Sequence, residues 1–266
     1  MKPRGICLLC LLVLPFLAPS AHADSVSLLG TAASFAVLGG STVTNTGSST
    51  ISGNLGVSPG SAVVGFPPGS VSGGTIHAAD AVALNAQSDL TTAHNTLAGM
   101  AVTGTLTGQN LGGMTLTPGV YFFANSAQLT GALTLNAQGN ANALFVFQIG
   151  STLTTASSSS IVFINGGQGN QLFWQVGSSA TLGTTTAFAG NIVALTSITM
   201  NTGSTIACGR ALARNGAVTL DTNDINATNC GSGGGTTLVP EPSTFLFLAT
   251  GLIGSAARMR QLIARR

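Results

Sequence analysis

Side chains that could do acid–base or metal chemistry are few in this chain of 266 residues, and they are scattered along it. Residues 24–230 contain no lysine and no glutamate, and their charged or imidazole side chains are Asp24, Asp80, Asp89, Asp221, Asp224, Arg210, Arg214, His77 and His94. Glycosidic hydrolysis needs carboxylates that converge on one bond, whereas these aspartates are far apart in the sequence. The sequence therefore predicts that the protein is not an enzyme.

The histidines and arginines do not indicate a ligand site either. His77 and His94 are 17 residues apart on a predicted helix, which is beyond the reach of one shared metal ion. Arg210, Arg214 and Asp221 could form an ion pair between adjacent structural repeats. We expect neither a metal site nor a cofactor.

The N-terminus has the pattern of a secretory signal peptide. Lys2 and Arg4 precede an apolar run over residues 5–17, and Ala21-His22-Ala23 provides a small-x-small cleavage site. We expect signal peptidase to remove residues 1–23 and export the remainder.

The C-terminus combines a short motif, an apolar segment over residues 245–257 and a basic end. The motif is Val239, Pro240, Glu241 and Pro242. Together these parts resemble the PEP-CTERM sorting signal of Gram-negative bacteria, which an exosortase recognises. The resemblance implies a short transmembrane segment within residues 239–266 that holds the chain transiently in the inner membrane. The protein would then be attached at the cell surface or released; a plain anchor helix is the alternative, although thirteen residues fall short of the ~20 that span a bilayer.

Removing both ends changes the charge of the protein. Six of the eight basic residues lie in the two end segments, so residues 24–230 keep two arginines against five aspartates, a formal net charge of −3. No basic patch remains that would bind nucleic acid.

Two cysteines remain after the signal peptide is removed. Cys208 and Cys230 would lie in an oxidising compartment, so we predict that they form a disulfide. Two buried free thiols are the alternative.

A repeat predicts the fold of the central region. A threonine followed by an apolar residue recurs at Thr115, Thr134, Thr152, Thr181, Thr199 and Thr219, in steps of 19, 18, 29, 18 and 20 residues. Steps near 18 to 20 suit one coil of a β-solenoid, and the longer step indicates an insertion between residues 161 and 180. The fold class is all-β dominated: an irregular three-faced β-helix with one long α-helix packed alongside.

The organisation around the repeat is less regular. The alanine-rich segment from about residue 75 to 98 has apolar residues at helical spacing and predicts the long helix. Short strands before it, over residues 35–71, either cap the solenoid or add coils to it. The predicted β-helix domain covers residues 24–230, and residues 231–238 form a glycine-rich linker.

Alternation along each strand would place the repeated threonines outward in one file, with small residues two positions before them. Neighbouring strands lie about 4.8 Å apart and same-face residues about 6.5 to 7 Å apart, a grid close to the oxygen spacings of ice planes. Threonine ladders also occur in β-solenoids for purely structural reasons, because threonine favours strands and its hydroxyls bond across them.

Seven segments carry a family resemblance: residues 29–38, 53–60, 76–80, 116–121, 146–151, 173–177 and 209–220. From about Leu29 to Asn226 the chain resembles the ice-binding-like family of microbial antifreeze proteins. The resemblance implies an irregular triangular β-helix and adsorption to an ice crystal surface through one flat face. A surface motif of the family, Thr-Ala/Gly-X-Thr/Asn, is matched by residues 202–205.

We therefore expect an exported ice-binding protein that inhibits recrystallisation or attaches the cell to ice. The candidate ice-binding residues are Thr134, Thr152, Thr154, Thr181, Thr184, Thr186, Thr199, Thr202, Thr205 and Thr219. The alternative is a structural or adhesive matrix protein that contacts exopolysaccharide, a function associated with the sorting tail.

Overall fold

A computed structural model describes residues 28–228, which form a stack of short parallel strands arranged as a three-faced β-helix beside one α-helix. Cys230, the predicted signal peptide, the predicted linker and the sorting motif lie outside the described residues. Two short 3-10 helices, Gly30–Ser34 and Gly169–Gln171, precede strands of the β-helix. The fold class predicted from the repeat is confirmed.

Within residues 28–228, seven parallel strands form one face, which we call the threonine face. In spatial order they are β11 (Ala127–Leu129), β14 (Leu153–Thr155), β17 (Ala180–Leu182), β19 (Ile198–Met200), β21 (Val218–Asp221), β2 (Thr42–Thr46) and β5 (Ala62–Val64).

A second face, the helix-side face, is covered by the long helix α1 (Ala81–Ala98). Its strands are β7 (Ile76–Ala78), β4 (Asn54–Val57), β1 (Phe35–Gly39), β20 (Thr205–Ala213), β18 (Ala187–Ala194), β16 (Leu172–Val176), β13 (Phe145–Ile149), β10 (Gly119–Phe123) and β8 (Gly104–Thr105).

The third face shares β18 and β20 with the helix-side face, because both strands bend at a corner and continue onto it. Its other strands are β6 (Ser70–Ser72), β3 (Thr50–Ser52), β22 (Asp224–Asn226), β15 (Ser160–Ile164), β12 (Ala132–Asn136) and β9 (Thr115–Leu116).

The N-terminal strands add coils to the solenoid, and they do so at its C-terminal end. Strands β1, β2 and β3 pair with β20, β21 and β22 of the last C-terminal coil, and β4 to β7 extend the stack further. The chain must therefore return along the stack to begin β8. Helix α1, whose 18 residues span about 27 Å, makes most of this return.

The helix begins later than the predicted start near residue 75. Residues Ile76–Ala78 pair with β4 as strand β7. Ala79 then adopts a positive φ of 52°, which ends the strand before the helix begins. Asp80 then caps the helix, because its side chain accepts a hydrogen bond of 2.8 Å from the backbone N–H of Ala83.

The interior of the solenoid contains a column of aromatic rings. Trp174 stacks on Phe147 with ring centroids 4.1 Å apart, Phe147 stacks on Tyr121 at 5.5 Å, and Phe188 lies 5.1 Å from Trp174. Trp174 Nε1 donates a hydrogen bond to the carbonyl of Ala189. Alternation along β13 and β16 places these rings inward and turns Val146 and Phe173 towards the helix.

A second apolar core lies between α1 and the helix-side face. Ala86, Leu90, Ala93 and Leu97 of the helix are buried against it. Polar contacts fix the position of the helix on the sheet, since Gln148 Nε2 donates to the carbonyl of Leu97 at 2.7 Å. Such paired groups satisfy backbone acceptors that the packing removes from water.

Asp89 of α1 ties the helix to the N-terminal 3-10 helix, because its carboxylate accepts hydrogen bonds of 2.7 Å from both the N–H and the hydroxyl of Thr31. These bonds hold the pKa of the Asp89 carboxyl below its usual value. A lowered folded-state pKa stabilises the fold above the unfolded-state pKa, and this contribution is lost as the pH falls through the folded-state value.

We expect acidification from pH about 6 to about 2 to lower the melting temperature less in Asp89→Asn than in the parent, because the variant has lost this titration. Circular dichroism during heating measures the melting temperatures of the parent and the variant at each pH. Asp80 and Asp221 also have lowered pKa values, so the variant keeps part of the acid sensitivity. Equal decreases in parent and variant would show that Asp89 does not couple folding to pH.

Candidate binding face

Five threonines stand in register on neighbouring strands of the threonine face. Thr154 pairs with Thr181, Thr181 with Thr199, Thr199 with Thr219, and Thr219 with Thr44. Gln128 and Val64 continue the file at its two ends. All five threonine side chains reach the surface, and those of Thr154 and Thr219 are exposed.

A second file of small side chains runs parallel to the five threonines, two residues earlier in each strand. Its members are Ser126, Thr152, Ser179, Ser197, Ala217, Thr42 and Ala62. Thr152 donates a hydrogen bond of 2.8 Å to the hydroxyl of Ser126 within this file. The two files together make a rectangular array with steps of about 4.8 Å across strands and about 6.5 Å along them.

The array is held flat by the side chains that point inward from the same strands. Leu153, Leu182, Met200, Val218 and Leu220 are fully buried in the solenoid core. Because these positions alternate with the outward threonines, the sequence pattern that builds the core also aligns the file. Branching at Cβ restricts χ1 of each threonine, so the array is stiff as well as flat.

The corner between the threonine face and the third face has a buried polar ladder inside it. Its members are Ser159, Thr186, Ser204, Asn223 and Ser49, all nearly inaccessible to solvent. Asn223 Nδ2 donates to the hydroxyl of Ser204 at 3.0 Å, and the Asn223 N–H donates to Ser49 at 2.9 Å. These bonds stabilise the tight turns that end the threonine strands.

Outside the same corner, the turns present Ser157, Thr184 and Thr202 next to the array, and strand β21 of the threonine face ends with Asp221. Asp221 is the charged group nearest to the array, and its carboxylate accepts hydrogen bonds from the hydroxyls of Thr202 and Thr222. The bond from Thr202, followed by that from Thr222, holds the pKa of Asp221 below its usual value. The carboxylate is therefore ionised at neutral pH, at the margin of an otherwise uncharged surface.

Seven of the ten candidate threonines lie on the threonine face or beside it. Thr154, Thr181, Thr199 and Thr219 belong to the central file, and Thr152 lies in the file of small side chains. Thr184 and Thr202 lie in the flanking turns, where both are exposed.

The other three candidates lie outside the threonine face. Thr186 is fully buried in the corner ladder, where its hydroxyl lies 2.9 Å from that of Thr155, so it cannot reach a surface ligand. Thr134 is on the third face, paired with Thr115 and Val162. Thr205 is also on the third face, paired with Ala187 and Asp224.

The length of two coils explains why Thr134 does not lie in the central file. Paired residues on the threonine face show that two coils are longer than the repeat suggested: Gln128 to Thr154 is a step of 26, and Thr154 to Thr181 a step of 27. An 18-residue step from Thr134 to Thr152 therefore passes from the third face to the threonine face. It does not connect equivalent positions.

Thr44 was missed although it extends the central file by one coil. Its signal in the sequence is Val43-Thr44, an apolar residue followed by threonine, rather than threonine followed by an apolar residue. Asn45 takes the inward position after Thr44 and bonds within the corner instead of packing in the apolar core. A search for threonine–apolar pairs cannot find it.

The other two faces of the described solenoid do not offer an equivalent array. Helix α1 covers one of them. The third face carries the charged side chain of Asp224 and the exposed apolar side chains of Val162 and Ile164. The two files of the threonine face therefore form an uncovered and regular pattern of uncharged side chains, with Asp221 of β21 beside them.

Within residues 28–228 the ionisable side chains have structural partners and do not gather at one site. Arg210 donates to the carbonyl of Ala33 and to Asn191 Oδ1, and its burial lowers the pKa of the guanidinium to about 10. The ion pair that Arg210 or Arg214 could form with Asp221 is not present; in residues 28–228 the one close contact between a basic and an acidic side chain is that of His77 Nδ1 with Asp80 Oδ2, at 2.7 Å.

Residues 28–228 contain no group of three or more histidine, cysteine, aspartate or glutamate side chains that could hold a metal ion. No helix in the same range is both long and apolar enough to cross a membrane. Cys208 is disulfide-bonded, and its pairing with Cys230 stays a prediction because Cys230 lies outside the described residues.

Comparison with protein families gives two matches that together cover most of the chain. The ice-binding-like family matches residues 37–226, and the PEP-CTERM protein-sorting motif matches residues 238–261.

Similar proteins carry the same description. An ice-binding protein of Nostoc sp. (strain HG1) is 60% identical over 234 residues, which make up 88% of this chain and 86% of that protein. Ice-binding protein 1 of Shewanella frigidimarina (strain NCIMB 400) is 34% identical over 232 residues, covering 76% of this chain and 26% of that protein.

Solved structures agree with the sequence matches. The crystal structure of an ice binding protein from an Antarctic biological consortium superposes with a TM-score of 0.73 and 46% identity, covering 81% of this chain and 96% of that one. An ice-binding protein from the Antarctic ascomycete Antarctomyces psychrotrophicus superposes with a TM-score of 0.72 and 40% identity, covering 76% and 98%.

Proposed function

The chain belongs to the ice-binding-like family, and on this basis we propose that it binds ice crystals through the threonine face. The observation that carries the proposal is the register of Thr154, Thr181, Thr199, Thr219 and Thr44 on five neighbouring strands. The similar proteins are described as ice-binding, and this face is the surface on which such an activity is most readily explained.

Ice presents a repeating array of water oxygens and no net charge, so a complementary surface should be repeating, rigid and neutral. The steps of about 4.8 Å and about 6.5 Å on the threonine face are close to spacings between oxygens on ice planes. Each threonine hydroxyl can hydrogen-bond one water, while its methyl group favours an ordered hydration layer beside it. The hydroxyls of Thr44 and Thr219, 3.5 Å apart, keep neighbouring side chains aligned.

The binding energy would come from many weak contacts added over the array. Each contact exchanges one water-facing group for an ice-facing one, so a single hydroxyl contributes little. A bulky side chain in the centre of the file acts differently, because it separates the whole face from a flat crystal. The proposal therefore predicts small effects of truncation and large effects of obstruction.

Export places this surface where extracellular ice could be reached. The PEP-CTERM match over residues 238–261 supports processing by an exosortase after passage through the inner membrane. We propose that signal peptidase removes residues 1–23, that the C-terminal segment anchors the chain transiently, and that the mature protein is then surface-attached or released. Both sorting segments lie outside the described residues.

The test is ice-recrystallisation inhibition by the secreted form, residues 24–236, beside the Thr199→Tyr variant. We expect the parent to arrest crystal growth and the variant to need an at least about tenfold higher concentration, equivalent to about 1.4 kcal/mol of adsorption free energy. Thr199 is half-buried at the centre of the file, so its side chain can be enlarged outward without entering the core.

Thr134→Tyr is the matched control. Thr134 is also a half-buried threonine within a parallel strand, but it lies on the third face. It should retain parental activity, and circular dichroism should show that both variants fold. An inert parent would reject the proposed function, whereas loss of activity in Thr134→Tyr alone would move the binding surface to the third face.

A further inference from the structure

At the corner between the threonine face and the third face, the outer side chains form a further file beside the array. Its members, which we call the turn file, are Ser157, Thr184, Thr202, Asp221 and Thr46. The residue after each of the first four donates its backbone N–H to the carbonyl of the next member, over 2.9 to 3.1 Å. The turn file therefore keeps the coil-to-coil register of the central threonines.

Asp221 is the one charged member of the turn file. It follows Thr219 by two residues in strand β21, so alternation directs both side chains outward, about 6.5 Å apart. Thr46, which pairs with Asp221 on the neighbouring strand, has the same relation to Thr44. The carboxylate therefore lies one along-strand step of the array from the central file.

The charge of Asp221 is not neutralised by a cation. Its Oδ2 accepts a hydrogen bond from the Thr202 hydroxyl, and its Oδ1 accepts one of 3.2 Å from the Thr222 hydroxyl. In residues 28–228 no arginine or histidine side chain lies within ion-pair distance of Asp221. Because hydrogen bonds to the ionised form favour that form, Asp221 stays charged at neutral pH.

The same hydrogen bonds remove donors from this part of the surface. A hydroxyl has one hydrogen to donate, and the hydrogens of Thr202 and Thr222 are directed at Asp221. Towards water, all three side chains therefore act only as acceptors. Each water molecule in ice both donates and accepts hydrogen bonds, so a group of acceptors without a donor matches the crystal poorly.

An ionised carboxylate also holds liquid water more strongly than a hydroxyl does. Placing it against a crystal costs the part of its hydration that the crystal does not replace, and this cost is larger for a charge than for a neutral polar group. The other contacts of the array are individually weak, so one such group has a measurable effect on adsorption.

We propose that the turn file contacts ice together with the central file, and that Asp221 weakens this adsorption. The proposal rests on the proposed function and assigns to Asp221 the role of limiting the affinity of the threonine face for ice. A neutral side chain that both donates and accepts hydrogen bonds should strengthen adsorption at this position.

Ice-recrystallisation inhibition by residues 24–236 tests the proposal with the variants Asp221→Asn and Asp221→Thr. The amide has nearly the shape of the carboxylate and keeps an acceptor for Thr202, whereas threonine repeats Thr46 of the paired strand. We expect each variant to arrest crystal growth at an at least about threefold lower concentration than the parent. Should the amide variant fail to fold, the threonine variant decides.

Asp224→Asn is the matched control. Asp224 begins strand β22 on the third face, and its carboxylate also accepts a hydrogen bond from a threonine, Thr50, at 3.0 Å. This substitution removes the same charge away from the threonine face, so its activity should equal that of the parent. Circular dichroism identifies the variants that fold.

An active parent beside folded Asp221 variants that are no more active would overturn the role of Asp221 and leave the proposed function intact. An equal gain in Asp224→Asn would also overturn it, because the effect would then come from net charge. If the parent and all variants are inert, the proposed function is rejected and this proposal with it.

Discussion

Trp174→Ala is expected to lower the free energy of unfolding by about 3 to 5 kcal/mol. The indole is fully buried and lies between Phe147 and Phe188, with ring centroids 4.1 Å and 5.1 Å away. Truncation would leave a cavity in the middle of the aromatic column, which close-packed parallel coils cannot easily collapse to fill. It would also remove the donor that Nε1 provides to the buried carbonyl of Ala189. Chemical denaturation of parent and variant measures the difference.

Two further substitutions show whether burial and packing cause this loss. Trp174→Phe retains the ring stacking and should lose less, about 1 to 2 kcal/mol, because it removes one hydrogen bond and part of the volume. Tyr121→Ala should also lose less than Trp174→Ala, since Tyr121 is half-buried at the end of the same column. A Trp174→Ala variant within 1 kcal/mol of the parent would contradict the central role of this column.

The strands and the interior could be predicted from the sequence because they depend on local alternation. In β13 and β16, residues such as Phe147 and Trp174 alternate with Val146 and Phe173, and both faces are buried. One set fills the solenoid and the other contacts α1. The alanine-rich segment likewise predicted a helix, although the helix begins after its cap Asp80 and not near residue 75.

Register between coils could not be predicted in the same way. Loops between β12 and β13 and between β15 and β16 lengthen two coils, and no local feature of Thr134 or Thr152 indicates which face each one occupies. The burial of Thr186 could not be predicted either. Thr186 lies in a segment whose composition is typical of a surface turn, but its hydroxyl bonds inside the corner. The sequence therefore predicted that threonines form the candidate site, but it predicted only part of the set of threonines that lie on one face.

The order of coils in space was also beyond the sequence. Both ends of a stack of parallel coils present unpaired strand edges, so β1 to β3 have backbone groups that could pair at either end of the stack. What selects the C-terminal end includes side-chain contacts between distant segments, such as the bond from Arg210 to the carbonyl of Ala33 and that from Asn223 to Ser49. Thr44 joined the central file through this long-range pairing.

The corner between the third face and the helix-side face is turned within single strands, and it depends on glycine. Strands β18 and β20 bend at Gly190 and Gly209, which are paired with each other. A Cβ atom on Gly209 would lie 1.9 Å from the carbonyl oxygen of Gly190. This oxygen belongs to the backbone of the adjacent coil, so a rotamer change cannot relieve the clash; the two coils would have to separate.

Gly209→Ala is therefore expected to destabilise the protein by about 3 kcal/mol, through overpacking of backbone against backbone. Gly139→Ala is the control, because Gly139 has a positive φ of 81° but no atom within 4 Å of its Cβ position. That variant should lose only about 1 kcal/mol, the cost of the backbone conformation alone. Denaturant titration gives both values, and equal losses would show that conformational strain, not the close approach of coils, makes glycine necessary at this corner.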